Sequence, residues 1–173
     1  MMLSLNEVGS TVLKAGRGAG LPLGVAEDLS QIAVYLMGVN GPAACITQAL
    51  TEPKITPRLT WTRDCLQIAE AGSAISAVVI RDAFAMGYDK ARLAVTSHAP
   101  LVCAALAAKG VALCWDGPLL WRSDTTVIQP RCAPVQVPQQ DWQVWCDLAA
   151  RTLVPQSEAS RNAGAGAGLI DND

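Results

Sequence analysis

His98 is the only imidazole in the chain, in Thr96-Ser97-His98-Ala99-Pro100, so any serine-type nucleophilic chemistry must use it as base. No G-x-S-x-G elbow accompanies it, and Ser97, as its immediate neighbour, makes a poor nucleophile–base pair. Capping of the helix that Pro100 announces is the plainer role for Ser97 or His98, and His98 stands as the one weak catalytic candidate.

A second candidate is Gly16-Arg-Gly-Ala-Gly20, which suggests an anion loop. Its spacing is neither GxGxxG nor a Walker sequence, and it follows a helix where a dinucleotide fingerprint follows a strand. It does precede a helix start, whose free amides would welcome an anion with Arg17 as counter-charge and Gly18 and Gly20 opening the backbone. A tight helix–helix connection explains the same glycines. The third candidate is the end of the chain. Asp171, Asp173 and the terminal carboxylate bring oxygens together, but one short segment cannot supply the six to eight that Ca²⁺ takes. Pairing with arginine suits them better, so Arg17, Gly18, Gly20, Arg161, Asp171 and Asp173 form the expected ligand-binding set, with no metal and no cofactor expected.

The elements that must position these residues read as follows. Ser4-Leu-Asn-Glu7 is a capping box opening a first helix to about Lys14, which Gly16–Gly20 breaks. Leu21-Pro22 restarts a helix with Val25, Leu29, Ile32, Ala33 and Leu36 in one stripe, and Pro42 opens a third through Leu50. Residues 51–63 read as a loop, and 63–86 as a long helix interrupted near Gly72-Ser73. Leu93–Thr96 reads as a short strand, and Pro100–Lys109 as a helix closed by Gly110. Four β-like runs follow, at 111–115, 118–121, 125–128 and 133–137, suggesting antiparallel hairpins. Trp142, Trp145, Cys146 and Ala149 mark one face of a last helix from about Gln139 to Arg151.

Helices, then strands, then a helix make an α+β fold in which helices pack with a small antiparallel sheet. The whole chain, 1–173, reads as one domain: 1–50 helical, 51–110 mostly helical, 111–137 strands, 138–152 helix, and 153–173 a Gly-Ala tail. The tail passes from Ser157-Glu-Ala-Ser-Arg161 through alternating glycine and alanine to Leu169-Ile170, and is expected to dock on the Arg17 loop.

Apolar residues make up 51% of the chain and charged ones 16%, which excludes global disorder and suggests surface buried in self-association. A net charge of −2 carries no nucleic-acid footprint. No apolar run reaches the roughly 20 residues of a bilayer helix, so no membrane partner is expected. Four of the six cysteines (Cys45, Cys65, Cys103, Cys146) lie in helix-like apolar settings, as reduced core thiols do, and the expected location is cytoplasmic.

The start, Arg17-Gly-Ala-Gly20-Leu-Pro22, together with the end, Ser157-Glu-Ala-Ser-Arg161…Gly-Ala-Gly-Ala-Gly168…Asp171-Asn-Asp173, resembles an uncharacterised bacterial family catalogued as a domain of unknown function. That resemblance implies a grouping and no activity. The first fifty residues also look faintly like the helical start of the non-Rossmann malate/lactate dehydrogenases, but the Ser-His-Gly block expected next is absent. The functional expectation is a non-catalytic ligand-binding or self-associating protein with a small-anion site. The alternatives are a small acid–base enzyme near His98 and Arg17, and an accessory subunit of a metabolic enzyme.

Overall fold

The structure, a computed structural model, describes residues 1–152. A short strand β1 (Met2–Leu3) leads into helix α1 (Leu5–Gly18), opened by the expected capping box. Ser4 Oγ accepts from the Glu7 amide at 3.2 Å, and the Ser4 amide donates to Glu7 Oε2 at 2.8 Å. The Ser4 hydroxyl, which donates to Glu7 Oε2 at 2.7 Å, and then the Ser4 amide hold the Glu7 carboxyl below its ordinary value.

Helix α1 does not stop at Lys14. Gly16, Arg17 and Gly18 lie inside its last turn, so the expected glycine-opened loop is a helix end. The chain reverses one residue later. Gly20 sits at φ +80°, its N–H donates to the Arg17 carbonyl at 3.0 Å, and the Leu21 N–H donates to the Gly16 carbonyl at 2.9 Å. That is a Schellman ending, and it needs a residue at ease in the left-handed region.

Helix α2 (Leu23–Gly38) buries Ala26, Leu29, Ile32, Ala33 and Leu36 as one stripe, while Val25 is only half-buried. Its end is of the same kind, with Asn40 at φ 58° and the Gly41 N–H on the Leu36 carbonyl. Helix α3 (Ala43–Thr51) follows Pro42.

Between residues 52 and 73 the structure departs from the expected loop and long helix. Strand β2 (Arg58–Trp61) pairs antiparallel with β3 (Leu66–Ala69), and helix α4 (Ser73–Ala85) begins only after Gly72. Leu66 and Ile68 are buried while Gln67 between them is exposed. That alternation is a strand's, and over four residues it cannot be told from helical spacing by sequence alone. Strand β4 (Lys90–Leu93) begins three residues earlier than expected and pairs parallel with β3, making β3–α4–β4 a crossover unit. A 3-10 turn (Thr96–His98) enters helix α5 (Ala99–Ala107).

Strands β5 (Leu113–Asp116) and β6 (Leu119–Arg122) form the expected hairpin around Gly117-Pro118, but residues 125–128 form no strand. Strand β7 (Val135–Gln136) pairs with β1 and stands outside the main sheet. Helix α6 (Gln139–Ala150) closes the described chain.

The main sheet has the order β2-β3-β4-β6-β5 and is mixed, with β3–β4 its parallel pair. The α+β class holds, with a larger sheet than the sequence suggested. Helices α4 and α5 lie on the sheet, and α2 and α3 pack on them in turn. Helix α1 packs on α2 and on α6. Trp145 Nε1 donates to Thr47 Oγ1 at 2.9 Å, and Thr47 Oγ1 donates to the buried Asp141 carboxylate at 2.6 Å, tying α6 to α3. Of the other tryptophans, Trp61 and Trp115 are about half exposed. No helix among the described residues is long and apolar enough to cross a membrane.

All six cysteines are free, but Cys65 precedes β3 and does not lie on a helix. Burial, helped by neighbouring Cys114, pushes the Cys103 thiol up to about 12. At pH 8 roughly one Cys103 in ten thousand is then thiolate, and thiolate is the reactive form. Alkylation of the folded protein followed by peptide mapping should label the exposed Cys132 first and Cys103 last. Early labelling of Cys103 would contradict the packing of α5.

Candidate functional site at the carboxyl ends of the parallel strands

In a parallel crossover the strand ends open toward the helix starts, and ligands gather where carboxyl ends of strands meet amino ends of helices. Here β3 and β4 run out into the loops at 70–72 and 94–98, beside the amino ends of α4 and α5. The first loop holds Glu70 at φ 55°, a left-handed value that a non-glycine residue adopts at a cost.

His98 lies in the second loop. It occupies the N-cap position of α5 without capping it, and it is only 4% exposed. Its Nε2 instead lies 3.3 Å from Glu52 Oε1, and that oxygen accepts no hydrogen bond among the described residues. Ser97 Oγ accepts from Gln48 Nε2 at 3.3 Å, which ties the same loop to α3.

Glu52 organises the cluster. The chain leaves α3 at Glu52, whose Oε2 accepts from the Ser73 amide at 2.6 Å and so caps α4 from outside. Gly72, the N-cap residue, has no side chain to do this, and a Cβ there would stand 3.1 Å from Glu52 Oε2. Charge favours the arrangement, since a carboxylate at a helix start meets free N–H groups and the positive dipole end.

Ser73 and Ser76, in the first turns of α4, are 2% and 0% exposed, and neither hydroxyl has a hydrogen-bond partner among the described residues. Two buried hydroxyls without partners among the described residues, beside a carboxylate oxygen approached only by His98, stand against the general rule that buried polar groups are paired, and each costs stability where it is left so. Glu52 also reaches a cavity of about 370 Å³, lined with it by Thr51, Lys54, Leu148, Arg151 and Ala19. Lys54 gives its ammonium to the carbonyls of Ala49, Leu50 and Glu52 at 3.0–3.3 Å, which uses its three donors and closes the end of α3. Burial lowers its pKa, partly offset by Glu52. Among the described residues, Arg151 is the cation lining this cavity whose donors are not already used.

The residues expected from sequence fall in several places. Arg17 is exposed in the last turn of α1 and does not line the cavity, although Ala19 does. Gly18 serves packing, because a Cβ there would run into the backbone of Leu148 on α6. Gly20 serves the turn. Arg161, Asp171, Asp173 and the Gly-Ala tail lie outside the described residues. Sequence reasoning found His98 but missed Glu52, Ser73 and Ser76. Gly72 directly before a serine-bearing helix start was a usable signal, but nothing marked Glu52, which meets His98 only through the fold. No group of three or more metal-type ligands occurs among the described residues.

Residues 3–51 match the model of a family described as a protein of unknown function (DUF3726). The match is to an uncharacterised family and takes in α1–α3, including Arg17-Gly-Ala-Gly20-Leu-Pro22. No curated protein and no solved structure matches the chain.

Proposed function

We propose that the protein binds a small polar ligand at Glu52, beside His98, Ser73 and Ser76. The observation that carries this reading is the set of three buried oxygens that make no hydrogen bond among the described residues, Glu52 Oε1, Ser73 Oγ and Ser76 Oγ, near the carboxyl ends of β3 and β4. Glu52 and Arg151 line one cavity, the carboxylate suited to a donor and the guanidinium to a carboxylate. Small hydroxy acids and amino acids carry both groups. A thermal-shift panel of glycolate, L-serine and β-alanine, with acetate as the donor-free control, tests this. At least one of the three should raise the melting temperature of the wild type and lose its effect in Glu52→Gln and Arg151→Gln. No response in the panel, or equal responses in both variants, would remove the assignment.

An acid–base enzyme is the second reading, favoured by the carboxylate–imidazole approach of Glu52 and His98. His98 is nearly inaccessible, whereas Glu52 and Arg151 line a cavity that a small molecule can enter, so binding without catalysis is the better-supported function.

The remaining expectations join the same proposal. The carboxyl end of α6 abuts Gly18, which supports docking of the tail on the Arg17 turn, with Arg161 and the terminal carboxylates meeting Arg17. Exposed Trp61 and Met86 support self-association, and the free thiols support a reducing, cytoplasmic setting.

A further inference from the structure

A second cavity lies far from this polar cluster in character. It opens between the carboxyl ends of α4 and α5 against β6, with a volume of about 440 Å³, in the range of cavities that hold small organic molecules. Its floor is apolar: Phe84 from α4, Leu106 from α5 and Val111 from the turn after it. Its rim carries three cations, Arg81 from α4, Lys109 from the turn after α5 and Arg122 from β6, and no carboxylate lines it among the described residues.

The three cations are not equivalent. Arg81 holds Asp28 in a bidentate pair and also Asp82, so its charge is answered from outside the cavity. Arg122 lies over the Phe84 ring, 5.8 Å from its centre, with Nη2 3.4 Å from the Phe84 carbonyl. Those contacts are long, and they leave most of the guanidinium fork unused. Among the described residues Lys109 reaches only the neutral Gln31, at 3.4 Å. The α4 and α5 carbonyl ends oppose an anion here, but that effect is a fraction of a charge, whereas Lys109 and Arg122 bring two whole ones.

We propose that this cavity binds an organic anion with an apolar body, such as a medium-chain or aromatic carboxylate. The body rests on Phe84, Leu106 and Val111, and the carboxylate meets Arg122 and Lys109. Apolar burial drives entry, and the charge pair fixes which end points outward.

Octanoate is the probe, with 1-octanol as its uncharged counterpart, followed by the amide signals of the ¹⁵N-labelled protein. Octanoate should shift Phe84, Leu106 and Val111 and bind more tightly than 1-octanol. Arg122→Gln and Lys109→Gln should each weaken octanoate about tenfold, the loss of one charge-assisted contact, and leave 1-octanol unchanged. Ala85→Trp, at an exposed lining position, should fill the cavity and abolish both responses without removing a charge. Glu52→Gln should leave octanoate binding intact, which separates this site from the Glu52 cluster. Equal affinity for octanoate and 1-octanol, binding indifferent to both charge variants, or shifts confined to other residues would overturn the proposal.

Discussion

Gly18→Ala should destabilise the protein by more than about 3 kcal/mol, beyond the ~1–3 kcal/mol of ordinary overpacking. The obstacle is backbone and not a yielding side chain. An added Cβ would stand 2.8 Å from the Leu148 carbonyl carbon and closer still to its oxygen, with Arg151 Cβ, one turn further along, at 3.4 Å. Relief requires α1 and α6 to separate, and that loosens Val8, Val12 and Trp145, all fully buried. For a chain of this size the melting temperature should fall by roughly 6–12 °C. Gly24→Ala is the matched control. It lies in the first turn of α2 with nothing within 4 Å of the new Cβ, so helix propensity should leave stability unchanged or raise it by up to about 1 kcal/mol. Equal effects of the two changes in urea unfolding would refute the close approach of α1 to α6.

Glu52→Ala carries the second large effect, a loss of about 2–3 kcal/mol from a partly buried, charge-assisted hydrogen bond. The change frees the Ser73 amide at the start of α4 and leaves His98 buried without its carboxylate neighbour. Glu52→Gln keeps an oxygen for the Ser73 amide and should cost less, about 1 kcal/mol. Amide hydrogen exchange gives a local check. The first turn of α4 should lose protection in Glu52→Ala well before α1 does, whereas uniform loss would mean that Glu52 supports the fold at large and does not cap α4.

These two residues also mark how far the sequence could be read. The helical start was legible, because the Ser4–Glu7 capping box, Pro22, Pro42 and the α2 stripe are local signals with local outcomes. Gly16–Gly20 was conspicuous, but its meaning was not, since the surface that demands Gly18 belongs to α6, some 130 residues later. Strands β2 and β3 were missed because four-residue runs hold too little periodicity to separate a strand from a helix. The parallel pairing of β3 with β4 is a long-range event that nothing in either segment encodes. The same gap hid the cluster. His98 was visible as a lone imidazole, while Glu52, Ser73 and Ser76 acquire meaning only when the crossover brings two strand ends to one place.

The unpartnered serines carry the account of that cluster, and the double variant Ser73→Ala/Ser76→Ala tests them most directly. A buried hydroxyl without a partner costs stability, and replacing it with a methyl group removes the cost. Residues held for binding at the expense of the fold show that trade. Urea unfolding of the ligand-free proteins is the measurement. The account predicts a double variant as stable as the wild type or more stable, by up to about 1–2 kcal/mol. A variant less stable than the wild type by more than about 1 kcal/mol would show that the hydroxyls are paired within the fold, and the binding site would lose its foundation.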